Sequence, residues 1–338
     1  MRLLLLGATG QVGHELRCAL APLGDVIAAT RSGLLADGTA CLRADLADAA
    51  SLAQALATAQ ADVIVNAAAY TAVDRAEDEP ELAERINHRA LGEIGAWAAH
   101  HGARVVHYAT DYVFDGSATR PYREDDPTAP LGVYGRTKLA GEDALRASGA
   151  AHLIFRTAWV CAAHGHNFLR TMLRLAAERD ELRVVADQVG APTPARWIAE
   201  VTAAAIRRWG TDGGTRRVAA VSHPTGALTS GDAQALDLAG TYHLVAGGQC
   251  SWYDFAAAIV HGAAARGLLA RAPRVLPITS ADYPTRARRP AYSVLDCTKL
   301  KNAFGLESPD WRVGLDEVLD ELAANVGEGN TISTQPSP

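Results

Sequence analysis

The most constraining feature of the chain is at its start. Arg2 to Leu6 is apolar after its first residue, four leucines in succession, and Gly7-Ala8-Thr9-Gly10-Gln11-Val12-Gly13 follows directly. An apolar run closed by glycine reads as a strand buried on both faces. Gln11 to Pro22 then reads as a helix and Asp25 to Ala29 as a second strand. In a G-x-x-G-x-x-G loop between strand and helix, the first glycine permits a tight turn. The second lets backbone approach a pyrophosphate, and the third lets helix and strand pack closely. Unpaired N–H groups at the helix start then face the phosphates.

Further apolar runs at Val63–Val65, Arg104–Tyr108 and Leu153–Phe155 alternate with helical patterns at Glu81–His100 and Thr137–Ala147. This alternation predicts an α/β fold, a Rossmann-type doubly wound parallel sheet with its ligand edge at the strand C-termini. Beyond Thr157 the rhythm changes. Phe168–Glu178, Arg196–Arg208, Trp252–Ala265 and Leu315–Asn325 read as helices separated by short apolar runs. We expect a nucleotide-binding domain over 1–156 and a smaller substrate-binding region over 157–326, interleaved with the sheet. The Gly/Ala/Thr/Ser-rich stretch 211–237 reads as a surface insertion and 327–338 as a flexible tail.

The 338 residues carry a net charge of −6, which argues against a nucleic-acid surface. Five scattered cysteines support neither a disulfide framework nor a zinc knuckle. No stretch reaches membrane-spanning length, and the expected setting is the cytoplasm. His164-Gly165-His166 lacks a companion carboxylate or cysteine cluster, so it reads as a loop rather than a metal site.

Cofactor-binding candidates are Gly7, Gly10, Gln11, Val12 and Gly13 of the loop, then Arg31, Asp45 and Leu46. Arg31, flanked by Thr30 and Ser32 at the end of the second strand, suits a ribose 2′-phosphate and favours NADPH over NADH. An acid there would favour NADH instead. Asp45 either borders the adenine or caps a helix.

Tyr134-Gly135-Arg136-Thr137-Lys138 places a phenol and an ammonium on one helix face. Carbonyl reduction needs a proton for the developing alkoxide, and a nearby cation helps a tyrosine supply it. The strand ending at Thr110 brings a hydroxyl to the same edge, where it can orient the substrate oxygen. Tyr134, Lys138 and Thr110 are the catalytic candidates, with Asp111 beside them on the substrate side.

These motifs, with Asn66-Ala67-Ala68-Ala69-Tyr70-Thr71-Ala72-Val73-Asp74 and Thr110-Asp111-Tyr112-Val113-Phe114-Asp115-Gly116, resemble the extended short-chain dehydrogenases. Within that group the chain resembles the dTDP-4-dehydrorhamnose reductase family. The likeness extends through Arg156–Val160, Asp187–Thr193 and Arg289–Asp296. The resemblance implies hydride transfer from NAD(P)H to C4 of a dTDP-4-keto-6-deoxy sugar. Tyr134 would be proton donor, Lys138 its electrostatic partner and ribose anchor, and Thr110 the oxygen orienter. Ala67, Ala68 and Tyr70 would line the cofactor cleft, with Asn66 shaping the strand end.

Trp159 would face the sugar, although packing is a competing reason for a tryptophan. Arg289 and Ser293 would lie in the segment closing over substrate, and Gln188 and Thr193 would line the pocket. Arg286, Arg288 and Arg289 form a basic cluster suited to a diphosphate. Two positions depart from the family pattern. Tyr292 stands where relatives often carry a small amide. Arg196 stands where an acid is expected, which argues against a Mg²⁺-bridged dimer through Glu15 and leaves monomer or homodimer open. A dehydratase or epimerase on this scaffold is the nearest alternative, though Tyr112 occupies the place of the acid that a dehydratase needs. A non-catalytic subunit resembling the regulatory subunit of methionine adenosyltransferase is the other.

Overall fold

The computed structural model describes residues 1–211 and 238–327. The expected insertion and tail fall outside the described residues, apart from Thr211 and Gly327. The first half runs β1 (Arg2–Leu6), α1 (Gln11–Leu20), β2 (Asp25–Thr30), β3 (Leu42–Arg43), α2 (Ala49–Ala59) and β4 (Val63–Asn66). It continues through α3 (Val73–Ala76), α4 (Pro80–Glu84), α5 (Ala90–His101), β5 (Arg104–Thr110), α6 (Val133–Ala147) and β6 (His152–Thr157).

Among the described residues these strands and Gly240–His243 form a seven-stranded sheet. Its order is Gly240–His243, β6, β5, β4, β1, β2, β3, and every pairing in it is parallel. The order reverses at β1, where the chain passes to β2 on one side and β4 on the other. That switch point opens the crevice where α/β sheets take their ligands.

Strand periodicity sorts the β1 leucines between two cores. Leu3 and Leu5 join a cluster with α1 and with α8 (Ala195–Thr211, after α7 at Phe168–Glu178). Leu4 and Leu6 join one with α2 and α5. All four are fully buried, each contributing roughly 1.5–3 kcal/mol of hydrophobic stabilisation. A third cluster, around Leu173, Phe255, Trp311 and Leu319, belongs to the C-terminal half. It is backed by a parallel ribbon of Glu181–Val185 and Arg274–Ile278. Because Gly240–His243 pairs with β6, the chain returns to the main sheet after building part of this second layer.

Local expectations differ from the structure at three places. The helix bearing Tyr134 begins at Val133, not Thr137. Gly132 caps it without a side chain of its own, and Glu77 Oε1 accepts the Val133 N–H at 2.7 Å. That carboxylate both satisfies an orphan donor and meets the positive end of the helix dipole. The helix expected over Glu81–His100 is interrupted by a π turn at Arg85–Arg89. Asn87 in that turn accepts from Tyr70 N at 2.9 Å and donates to Tyr70 O at 3.1 Å and Thr137 Oγ1 at 3.2 Å. The cap of α2 is Asp48, which accepts from Ala50 N and Ser51 N, while Asp45 accepts from Ala47 N.

Candidate active site

The glycine loop is built as its spacing demands. Gly7 has φ +80°, and a Cβ there would stand 2.7 Å from Ala68 N, because β4 ends alongside. A Cβ on Gly13 would stand 2.0 Å from Gly7 O, so helix and loop touch backbone to backbone. Gly10 is different. The nearest atom to its Cβ would be Gly7 O at 3.4 Å, and it caps α1 with no side-chain hydrogen bond. The first turn of α1 carries no acid and no side-chain cap, which leaves its unpaired N–H groups as a cradle that fits a dinucleotide pyrophosphate.

The Gln11 side chain ties the loop to the C-terminal half, its Oε1 accepting from Asn167 Nδ2 at 2.9 Å. Val12 packs against the α1/α8 core. Ala67 and Ala68 lie at the end of β4 beside Gly7. Tyr70 is buried, and its hydroxyl donates to Glu79 at 2.8 Å and accepts from Arg75 at 3.1 Å. Arg31 and Ser32 are exposed at the end of β2. Thr30 is not available beside them, because its hydroxyl accepts from Gly33 N at 3.0 Å and Leu34 N at 3.1 Å. Leu46 is buried and Asp45 half-buried after β3.

At the sheet edge, β5 delivers Thr110 and α6 delivers Tyr134 and Lys138. Gly135 permits the approach, since a Cβ there would lie 2.2 Å from Tyr112 O. Burial raises the Tyr134 phenol to about 12, opposed by its hydrogen bond with Thr110. Thr110 donates to Asp111 Oδ1 at 3.0 Å and accepts from Tyr112 N at 3.2 Å. Burial lifts the Asp111 carboxyl to about 6, with the Ser293 and Thr110 hydroxyls working against it. Tyr112 meets Tyr134 edge to face at 5.8 Å.

Lys138 is 1% exposed. Its Nζ donates to Tyr108 O at 2.6 Å and stands 3.2 Å from His107 Nε2, rather than engaging the Tyr134 phenol. His107 was not anticipated from sequence. A polar residue in the middle of an otherwise apolar strand run is the signal that exposes it, because a buried imidazole requires partners.

On the other wall, Trp159 has φ +47°, a strained left-handed conformation for a tryptophan. Its ring stacks on Trp252 at 3.5 Å and 8°, and a Cβ on Gly190 would stand 2.6 Å from it. Gln188 Nε2 donates to Ser280 Oγ at 2.9 Å. Thr193 does not reach the cleft: it is fully buried, donating to Ala191 O at 3.1 Å and accepting from Ala246 N at 3.2 Å. A hydroxyl spent in this way holds a loop. Ser293 is buried beside Asp111, its N–H donating to Val189 O at 2.8 Å.

The basic cluster divides. Arg286 pairs with Asp78. Arg289 is held by Asp74 at 2.7 and 3.2 Å. Arg288 is exposed and lines a cleft with Tyr112, Gly132, Tyr134 and Pro290. Glu15 accepts from His164 Nε2 at 2.8 Å and pairs with Arg196 at 3.4 Å, and Arg196 also reaches Glu321. Among the described residues no group of three or more His, Cys, Asp or Glu side chains is arranged to hold a metal. Among them, too, no helix is long and apolar enough to cross a membrane.

Comparison with known proteins extends the geometry. The family model described as RmlD substrate binding domain matches residues 1–228 and 215–324. A dTDP-4-dehydrorhamnose reductase of Escherichia coli (strain K12) is 46% identical, over 95% of this chain and 98% of that protein. Two solved dTDP-4-dehydrorhamnose reductases share the fold. That of Clostridium acetobutylicum has TM-score 0.79 and 33% identity, covering 95% of this chain and 99% of that one. That of Bacillus anthracis, in complex with NADP, has TM-score 0.77 and 30% identity over the same shares. With a glycine cradle at the first strand–helix turn, Thr110 and Tyr134 together at the sheet edge, and this likeness along almost its whole length, the chain belongs to the dTDP-4-dehydrorhamnose reductase family of oxidoreductases.

Proposed function

We propose that the chain uses NADPH to reduce the C4 keto group of dTDP-6-deoxy-L-lyxo-4-hexulose, giving dTDP-L-rhamnose, with Tyr134 as the proton donor. The observation that carries this reading is the Tyr134–Thr110 pair at the sheet's C-terminal edge, above a buried Lys138 and beside the glycine cradle. When bound in the cradle, the nicotinamide supplies the hydride. Gly7, Gly10 and the start of α1 hold the pyrophosphate, and Ala67 and Ala68 border it. Arg31, exposed and unaccompanied by an acid, reads the 2′-phosphate.

Tyr134 gives its proton to the oxygen at C4. The hydrogen bonds leave Thr110 a specific part. Its hydroxyl donates to Asp111 Oδ1, and its hydrogen bond with the Tyr134 phenol favours the ionised form that remains once the proton has left. Thr110 therefore steadies Tyr134 as it gives up its proton, and Asp111 holds the threonine hydroxyl in place. The burial of Tyr134 keeps the phenol protonated at neutral pH, as a donor must be. Trp159, held in place by Trp252 and Gly190, forms the wall against the sugar. Arg288, with no ion pair among the described residues, is the guanidinium open to the diphosphate. Glu15 is engaged by His164 and Arg196, a pairing that argues against a Mg²⁺ bridge through that residue. The enzyme works in the cytoplasm as a monomer or homodimer.

Oxidation of NADPH and NADH followed with the dTDP-4-keto sugar tests the reading. Stoichiometric cofactor consumption with formation of dTDP-L-rhamnose supports it. Turnover without added reduced cofactor would assign the chain to dehydratase or epimerase chemistry. No turnover in the isolated chain, with a stoichiometric enzyme partner captured, would make it a regulatory subunit.

A further inference from the structure

The side-chain amide of Asn66 has only one sensible orientation. Ala68 N–H donates to Oδ1 at 3.1 Å, and a backbone N–H can do nothing but donate. The amide nitrogen Nδ2 therefore faces His107, 3.2 Å from Nδ1. An amide nitrogen also only donates, so Nδ1 is the acceptor. A neutral imidazole that accepts at Nδ1 carries its proton on Nε2. Nε2 stands 3.2 Å from Lys138 Nζ. Two donors repel across such a contact, so it favours a lysine nitrogen that presents a lone pair there while it donates to Tyr108 O.

Burial makes these assignments binding. Asn66, His107 and Lys138 are each 1% exposed, leaving no water to absorb a mismatch. The groups around Lys138 are few: His107 and Tyr108 on β5, Tyr134 and Glu142 on its own helix, and Arg156 on β6 behind Glu142. Glu142 favours an ammonium, but Arg156 and Arg146 already engage that carboxylate. Burial alone lowers the Lys138 ammonium to about 8, against the pull of Glu142. A ring N–H aimed at the amine acts in the same direction.

We propose that His107 is a positioning residue for the reduction: its proton, set on Nε2 by Asn66, disfavours the Lys138 ammonium and holds the side chain turned away from Tyr134 in the cofactor-free enzyme. To assist the phenol, the amine form of the lysine takes up one proton from solvent. The functional part of this rests on Lys138 as the partner of Tyr134; the protonation state does not.

The test uses ¹⁵N NMR of the cofactor-free protein, with the His107 resonances identified by their loss in His107→Gln. The expected pattern is N–H at Nε2 and an unprotonated Nδ1. A proton on Nδ1 overturns the proposal, whether or not the enzyme turns over. Asn66→Asp gives the second reading. A carboxylate at that place requires Nδ1–H, so the ring proton moves and Nε2 becomes an acceptor for the ammonium. The alkaline limb of kcat/KM should rise by about one pH unit, a tenfold change in the acid constant. The same substitution in His107→Gln should produce no such rise. An unmoved limb in the single variant, or an equal rise in the double variant, overturns the positioning role.

Discussion

Glu142 of α6 and Arg156 of β6 meet as a buried two-point ion pair, Nε to Oε1 at 3.0 Å and Nη2 to Oε2 at 2.8 Å. The pair lies one helical turn beyond Lys138 and ties its helix to the sheet. Removing one partner leaves an uncompensated charge in the core, which costs about 3–5 kcal/mol. Glu142→Ala should therefore lower the unfolding free energy by that amount, with a matching fall in the denaturant midpoint. The double replacement Glu142→Leu/Arg156→Leu should recover much of the loss. Chemical unfolding of the three proteins checks this.

The contact between Gly13 and Gly7 allows no added methyl. At 2.0 Å from Gly7 O, the Cβ of Gly13→Ala must push α1 away from the loop. We expect roughly 1–3 kcal/mol of destabilisation together with weaker NADPH binding, since the N–H cradle moves with the helix. Calorimetric titration and thermal unfolding read the two effects. Unchanged affinity would mean that the start of α1 does not hold the pyrophosphate.

Asp111 gives stability a pH dependence of known sign. Folding takes this carboxyl from an unfolded value of about 3.9 to about 6. The folded state thus binds more protons in that window and loses stability as pH rises through it, by roughly 3 kcal/mol in total. Asp111→Asn removes the titration. Its stability relative to the parent should increase between pH 4 and pH 7, as measured by urea midpoints. A difference independent of pH would contradict the assignment.

Arg31 carries the cofactor preference. A lost charge-assisted hydrogen bond is worth about 1.5–3 kcal/mol, so Arg31→Asp should reduce the NADPH/NADH ratio of kcat/KM by roughly 10- to 100-fold. Steady-state kinetics with both cofactors decides it. Equal losses with the two would show that Arg31 does not read the 2′-phosphate.

Much of the site follows from local pattern, because its parts sit next to strong periodic signals. The β1 leucines and Gly7, Gly10 and Gly13 announce themselves through spacing, and Tyr134 and Lys138 through their separation of four. What escapes the sequence depends on tertiary approach. Nothing local shows that Glu77 caps α6 or that Asn87 links Tyr70 to Thr137, since those partners lie 56, 17 and 50 residues away. Thr193 has pocket-like neighbours in sequence, yet the fold turns it inward onto Ala191 and Ala246. Arg289 looks like a phosphate ligand until Asp74, 215 residues away, is seen to hold it. The strand Gly240–His243 is too short to read alone, and only pairing with β6 defines it.

The central claim is that Tyr134 protonates the substrate oxygen, and Tyr134→Phe tests it most directly. The ring keeps its edge-to-face contact with Tyr112, so only the hydroxyl is lost. With NADPH and the dTDP-4-keto sugar, kcat should fall about 10²- to 10⁴-fold, while NADPH affinity stays at the parent value. An unchanged kcat would contradict the account.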